Sequence, residues 1–299
     1  MRAIATAMSF ATLMLAFGAS AQNAARVQVV NASHPAAEAS SPDYSAVYCS
    51  GFVTDEKVPS EVRLISGEES ADKIVFTTGD YVYINRGSAQ GVRVGDRFSI
   101  VRPDKDPNEV PWFKWQGKLL KAMGTQYIDS GQVQITTVHP NVSIGMIKFS
   151  CDYLQRGDIA LPMAERPSPP FKPAEKFDKF APVSGKSVGM LVAGLTFTQV
   201  YGKNSTVYVN LGTNQGVKVG DYLRVFRYQG STAATSQNFP DYQYSMYGFG
   251  STPVKYKWND MPRDVIGEGI VMNVTRNACS IFVTYSKLDM YAGDYVEIE

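Results

Sequence analysis

Histidine is nearly missing from this chain: His34 and His139 are the two present among 299 residues. Cysteine is scarce as well, with Cys49, Cys151 and Cys279, and no Cys-x-x-Cys spacing occurs. Those shortages exclude zinc sites built on closely spaced thiolates and imidazoles, so no metal site is expected. No Gly-x-Ser-x-Gly elbow is present, and no Gly-rich turn carries the Lys-Ser/Thr of a phosphate loop. No acidic cluster suggests a Ca²⁺ cage. No catalytic residue and no cofactor are expected from these patterns. An excess of one charge is missing too: the chain has 29 Lys and Arg against 28 Asp and Glu. A nucleic-acid binder or a polybasic membrane reader needs a concentrated positive field, so neither partner is expected.

Long apolar runs are confined to the start, MRAIATAMSFATLMLAFGASAQ. Arg2 supplies a positive n-region, Ile4 to Phe17 an apolar core, and Ala19-Ser20-Ala21 the small-x-small pattern for cleavage. The run is shorter than the about twenty residues a spanning helix needs. Residues 1–21 therefore read as a signal peptide cut after Ala21, with export to the periplasm or cell surface and no transmembrane segment in the mature chain. No Cys follows the apolar run, so no lipid anchor is expected. Export to an oxidising compartment allows a disulfide, and three cysteines leave one thiol over.

Aromatic residues and glycine are plentiful, with 17 Tyr, 15 Phe and 25 Gly, a composition that favours strands and turns. Residues 22–45, rich in Ala, Ser, Asn and Pro, read as a flexible tail. Residues 163–185 carry five prolines among charges. Proline lacks the amide donor of central strands and helices, so 163–186 reads as a stiff linker between halves 46–162 and 187–299.

The halves repeat. VYINRGSAQGVRVGD (82–96) and VYVNLGTNQGVKVGD (207–221) are identical at ten of fifteen positions. GQVQITTVHPNVSIGMIKFSCDYLQRGDIALP (131–162) aligns without a gap on GEGIVMNVTRNACSIFVTYSKLDMYAGDYVEI (267–298). This self-similarity predicts an internal duplication. Val-Tyr-Ile-Asn alternates as a half-buried strand does. Gly87 and Gly91 reverse the chain, Val92 and Val94 enter a core, and Gly95-Asp96 makes a turn that Arg97–Val101 leaves as a strand. Gly157-Asp158 and Gly293-Asp294 repeat the device. The expected fold is mainly β: two tandem small β-barrel or sandwich domains.

Strand-Asn-x-Gly-x-x-x-Gly-Val-x-x-Gly-Asp-strand, followed by a later strand pair closing on Gly-Asp, resembles small β-barrel domains of bacterial envelope proteins. Among these, the pattern looks like the C-terminal domain of the flagellar assembly T protein. Cys49-Ser-Gly-Phe and Ser150-Cys151-Asp152 also look like uncharacterised exported proteins of acidobacterial type. The resemblance covers about 82–162 and 207–299, and it implies an envelope protein built on small barrels.

Each half carries an insert, at about 103–130 and 228–264. The first holds PWFKWQGKLLKAMG, in which Gln116–Met123 is expected as a short helix that Gly117 weakens, and the second reads as an irregular loop. All three tryptophans lie in the inserts: Trp112 and Trp115 in the first, Trp258 in the second beside Tyr242, Tyr244, Tyr247, Phe249 and Tyr256. Such rings either fold back to cap the barrels, as large aromatics commonly do, or bind a partner from a rigid scaffold. Trp112, Trp115, Tyr244, Tyr247 and Trp258 are the candidate partner-binding residues.

Sharper chemical readings are weaker. Asp96 and Asp221 follow glycine, whereas paired catalytic aspartates stand before Thr-Gly, so both read as turn-makers. A Cys151–His139 dyad needs a thiol that is free, and a bridged or core cysteine is the plainer reading. The expected bridge is Cys49–Cys151, joining a strand-like Ala46–Cys49 run to the end of strand Ile144–Ser150. Cys279 aligns with Ser143 and is expected buried and free. The function expected is a non-enzymatic envelope scaffold or adaptor that binds an envelope protein or peptidoglycan through the inserts. A carbohydrate-binding module is the alternative, and an envelope hydrolase is disfavoured by the missing nucleophile and base.

Overall fold

The computed structural model describes residues 40–69, 71–104, 109–173, 177–196, 198–228 and 263–299. The chain is mainly β. Its first sheet uses β1 (Phe52–Thr54), β2 (Leu64–Gly67), β4 (Tyr81–Ile84), β5 (Arg97–Pro103), β6 (Thr125–Val138), β7 (Ser143–Ser150) and β9 (Ile159–Pro162). A short pair, β3 (Val75–Phe76) with β8 (Leu154–Gln155), closes one end. The second uses β10 (Val188–Gly194), β11 (Thr206–Val209), β12 (Tyr222–Tyr228), β13 (Arg263–Val274), β14 (Cys279–Ser286) and β15 (Tyr295–Ile298).

Strand order is the same in both sheets, β2-β4-β7-β6-β5-β9 and β10-β11-β14-β13-β12-β15, with β1 added on β6 in the first. Corresponding ladders share register: Ile84 faces Ser143 as Val209 faces Cys279, and Ile100 faces Gly131 as Val225 faces Gly267. Closure differs. The second sheet is a closed six-stranded barrel through the β10–β15 ladder. The first is a curled half-barrel whose edges meet at one bridge, Arg63–Ile159. Inward residues of alternating strands fill each interior: Val82, Ile84, Ile100 and Ile147 in the first, Val207, Val209, Val225 and Ile281 in the second.

The turn chemistry follows the repeated motif. Gln90 Oε1 accepts from Gly87 N at 2.9 Å, and Gln215 Oε1 from Gly212 N at 2.8 Å. Asp96 accepts from Arg93 N at 2.9 Å and Asp221 from Lys218 N at 2.8 Å, so both carboxylates are turn-makers. Gly95 and Gly220 sit at φ +95° and +92°. A β-branched side chain is strained there whatever the free space. Gly95→Val and Gly220→Val are each expected to cost about 1–3 kcal/mol in urea unfolding. A change below a few tenths would show that the turn relaxes.

The second Gly-Asp pair in each sheet carries more than a turn. Asp158 takes a bidentate contact from Arg102 (2.8 and 3.1 Å), and Asp294 takes one from Arg227 (2.6 and 2.7 Å). Each guanidinium also donates to a carbonyl, of Tyr153 or Asp289. Both arginines hold the end of the sheet from which its insert departs.

Three local expectations are corrected. Of the two valines expected to enter a core at the first turn, Val92 does so, but Val94 stays 67 % exposed. Ala46–Cys49 is not strand-like. Ala46–Tyr48 belongs to helix α1 (Tyr44–Tyr48), which Cys49 ends and Asp43 starts, its carboxylate accepting from Ala46 N at 2.7 Å. The short run has too few residues for periodicity to separate helix from strand, and Val47 is drawn into a cluster with Ile270 and Met272 of the second barrel. The described residues of 163–186 also do more than space the halves. Phe171 stacks on Phe282, Phe177 meets Tyr285 at a tilt, and Ala181 is buried with Phe226 and Val265. Lys172 Nζ reaches Glu268 (2.7 Å) and Glu299 (2.8 Å). The proline-rich stretch is thus a strap along the barrel wall.

Candidate interaction surface

The first insert leaves β5 at Pro103 and returns at β6. Within it, Val110 N donates to Gln116 Oε1 at 2.6 Å, folding the Val-Pro-Trp-Phe turn back on the helix that follows. Helix α2 (Gln116–Met123) has the bounds read from the sequence. Its Gln116, Leu120 and Met123 are buried, at the three- and four-residue spacing of one helix face, while Lys118 and Lys121 are exposed.

This insert covers an end of the second barrel, and its helix also packs on Val53 of β1. Val110 and Phe113 are buried within the second barrel's core cluster, and Phe113 lies over Gly293. Gln116 Nε2 donates to Val192 O at 2.8 Å. Leu120 and Met123 pack with Val192, Ala193 and Tyr208. The short helix is expected from the sequence, but nothing in the sequence says which barrel its buried face meets.

The two tryptophans divide. Trp112 is half-buried, donates from Nε1 to Ala292 O at 3.2 Å, and meets Tyr291 edge-on. It caps the second barrel. Trp115, at the helix start, is 63 % exposed. Lys118 Nζ stands 4.7 Å from its ring centroid, and exposed Lys114 and Lys121 lie on the same short insert. Tyr244, Tyr247 and Trp258 lie outside the described residues, as do Tyr242, Phe249 and Tyr256.

The scaffold beneath is cross-tied. Cys49 and Cys151 form a disulfide, with Cα atoms 5.5 Å apart. Cys151 is therefore no free nucleophile for a dyad with His139. Cys279 is a buried free thiol whose pKa burial pushes well above the ordinary range. Beyond the disulfide, residues 50–55 touch both sheets. Val53 O accepts from Thr275 Oγ1 (2.6 Å), Ser50 O from Tyr208 OH (3.2 Å), and Asp55 pairs with Arg276 (2.6 Å). Gly51, at φ +58°, leaves no room for a Cβ, which would stand 2.3 Å from the Tyr208 hydroxyl.

Sequence reasoning missed Asp129 and Arg166. The Asp129 carboxylate is buried, receives Arg166 on both oxygens at 2.7 and 2.8 Å, and accepts from Gly51 N at 2.9 Å. The spacing of these two residues carries no signal, because they meet only when the strap crosses the first sheet. Among the described residues, no group of three His, Cys, Asp or Glu side chains could hold a metal ion, and no helix is long and apolar enough to cross a membrane. Compared with known proteins, the chain matches no protein-family model and no curated protein.

Proposed function

We propose that this protein is a non-enzymatic scaffold or adaptor of a bacterial cell envelope, binding an envelope protein or peptidoglycan through its inserts. The observation that supports this reading is Trp115: an exposed indole at the start of a helix whose other face is locked against the second barrel. An aromatic held this rigidly loses little entropy on binding. The barrel-like sheets, the turn motifs that resemble those of envelope barrels and the signal-like residues 1–21 support the envelope setting, and the Cys49–Cys151 bridge fits an oxidising compartment. A carbohydrate-binding role is the second reading, favoured by the same ring, since indoles stack on sugar faces.

Periplasmic material, first checked for an N-terminus at Gln22, is tested for pull-down by purified sacculi and by envelope proteins. Trp115→Ala is expected to keep its circular dichroism and thermal midpoint while affinity falls about five- to thirtyfold, or about 1–2 kcal/mol. Trp112→Ala is expected to lose about 2 kcal/mol of stability, because its ring caps the barrel. Retention indifferent to Trp115→Ala would remove the insert from the binding surface. A mature pool that still begins at Met1 would remove the export reading.

A further inference from the structure

Helix α2 turns one face inward and leaves the other to solvent. Gln116, Leu120 and Met123 are buried, and Leu119 is half-buried beside them. Lys114, Trp115, Lys118 and Lys121 are exposed. Trp115, Lys118 and Lys121 follow at steps of three, so each neighbours the next on the helix surface. The Trp115 carbonyl accepts from Leu119 N at 3.1 Å, which ties the backbone under the ring into the first turn. Lys118 Nζ stands 4.7 Å from the ring centroid, so an ammonium group is held against the indole.

The charge of this surface departs from that of the chain. The whole sequence carries 29 basic against 28 acidic residues, but residues 109–124 carry Lys114, Lys118 and Lys121 against Glu109 alone. Among the described residues, the lysines paired with carboxylates are Lys73, Lys172 and Lys179, while Lys114, Lys118 and Lys121 meet none. Like charges three or four residues apart destabilise a helix, and the first turn of α2 holds no acidic residue to offset them. The lysines therefore work against the helix that carries them, and an anionic partner would relieve that repulsion.

We infer that the ligand of the Trp115 surface is peptidoglycan, recognised through its carboxylates. A sugar of the glycan chain lies on the open side of the indole, and free carboxylates of the attached peptides meet Lys114, Lys118 and Lys121. This assignment rests on the first insert being the binding surface. An indole with an ammonium group beside it matches a polymer in which C–H-rich sugar faces stand next to anions. Two other anionic partners fit less well. A bilayer takes up an amphipathic helix by its apolar face, and that face of α2 is already buried against the second barrel. A protein hot spot is closed off from water by neutral contacts around it, whereas Trp115 is flanked by exposed ammonium groups.

The test measures binding of the full disulfide-bonded chain to purified sacculi, native and with their carboxylates amidated. Wild-type affinity is expected to fall at least about tenfold on amidation. A similar loss is expected on raising salt to about 1 M, where the screening length is about 3 Å. The triple variant Lys114→Gln, Lys118→Gln, Lys121→Gln is expected to show the same loss on native sacculi, with an unchanged thermal midpoint, and no further loss on amidated ones. Lys121→Glu serves if the triple variant folds poorly. Lys118→Arg, which keeps the charge, is expected to bind as the wild type does. Sacculus binding that depends on Trp115 but is indifferent to amidation and to the lysine changes overturns carboxylate recognition and leaves the insert as the binding surface. Retention by an envelope protein, or by phosphatidylglycerol vesicles, in place of sacculi overturns it as well. Binding indifferent to Trp115→Ala and to the lysine changes alike removes the insert itself, and this assignment with it.

Discussion

Arg166→Ala is expected to lower the unfolding free energy by about 3–5 kcal/mol. The replacement leaves Asp129 buried with its charge and without the guanidinium that meets both its oxygens. Gly51 N would remain as a single donor to that carboxylate. The loss is local in chemistry but wide in reach. Asp129 lies on β6, Arg166 on the strap, and Gly51 on the segment wedged between the sheets. Urea unfolding of the wild type, Arg166→Ala, Asp129→Ala and the double variant measures the coupling. The double variant is expected to lose less than the two single losses added together, since removing both charges leaves neither buried alone. A cost for Arg166→Ala under about 1 kcal/mol would mean that water reaches Asp129 and that the pair behaves as a surface bridge.

Loss of the disulfide is the second large effect. Cys49 and Cys151 are 102 residues apart in sequence, and closing a loop of that length stabilises by up to about 4.7 kcal/mol in the chain-entropy account. Cys49→Ser with Cys151→Ser is expected to approach that figure. The bridge also pins the start of the 50–55 segment, whose contacts to Thr275, Tyr208 and Arg276 belong to the second barrel. Cys279→Ser is expected to act differently. It puts a hydroxyl into the apolar barrel core without opening a loop, at a cost of about 1–3 kcal/mol. Non-reducing peptide mapping is expected to recover Cys49 linked to Cys151, with Cys279 alkylated only after unfolding. A linked peptide containing Cys279 would overturn this pairing.

How far the sequence is legible depends on the range of the interactions. Val82 and Ile84 alternate inward because a strand's side chains alternate, which involves no partner beyond the next ladder. Gly95-Asp96 and Gly220-Asp221 turn because a positive φ and a carboxylate bonded three residues back are local. Helix Gln116–Met123 has the bounds expected from its own stretch of sequence, although Gly117 weakens it there. Tyr44–Tyr48 does not, being one turn long and held by contacts to Ile270 and Met272 on a distant strand.

The candidate surface was half legible for the same reason. Trp112 and Trp115 are three residues apart in one polar-aromatic run, and no pattern ranks one above the other. Their fates separate when the insert crosses to the second barrel, turning Trp112 onto Ala292 and leaving Trp115 in solvent. The strap behaves likewise. Its prolines forbid helix and central strand, but they do not say that Phe171 and Phe177 will lie on the barrel wall.

The sequence by itself determined the mainly β class, the turns, the short helix and the correspondence of one half with the other. Each rests on the dihedrals and hydrogen bonds of a few neighbouring residues. Tertiary structure alone decided that one sheet closes and the other stays curled. It also decided that the first insert covers the second barrel, that Asp129 meets Arg166, and which tryptophan faces out. Those outcomes sum many weak apolar contacts between residues far apart in the chain, and no short stretch of sequence carries that sum.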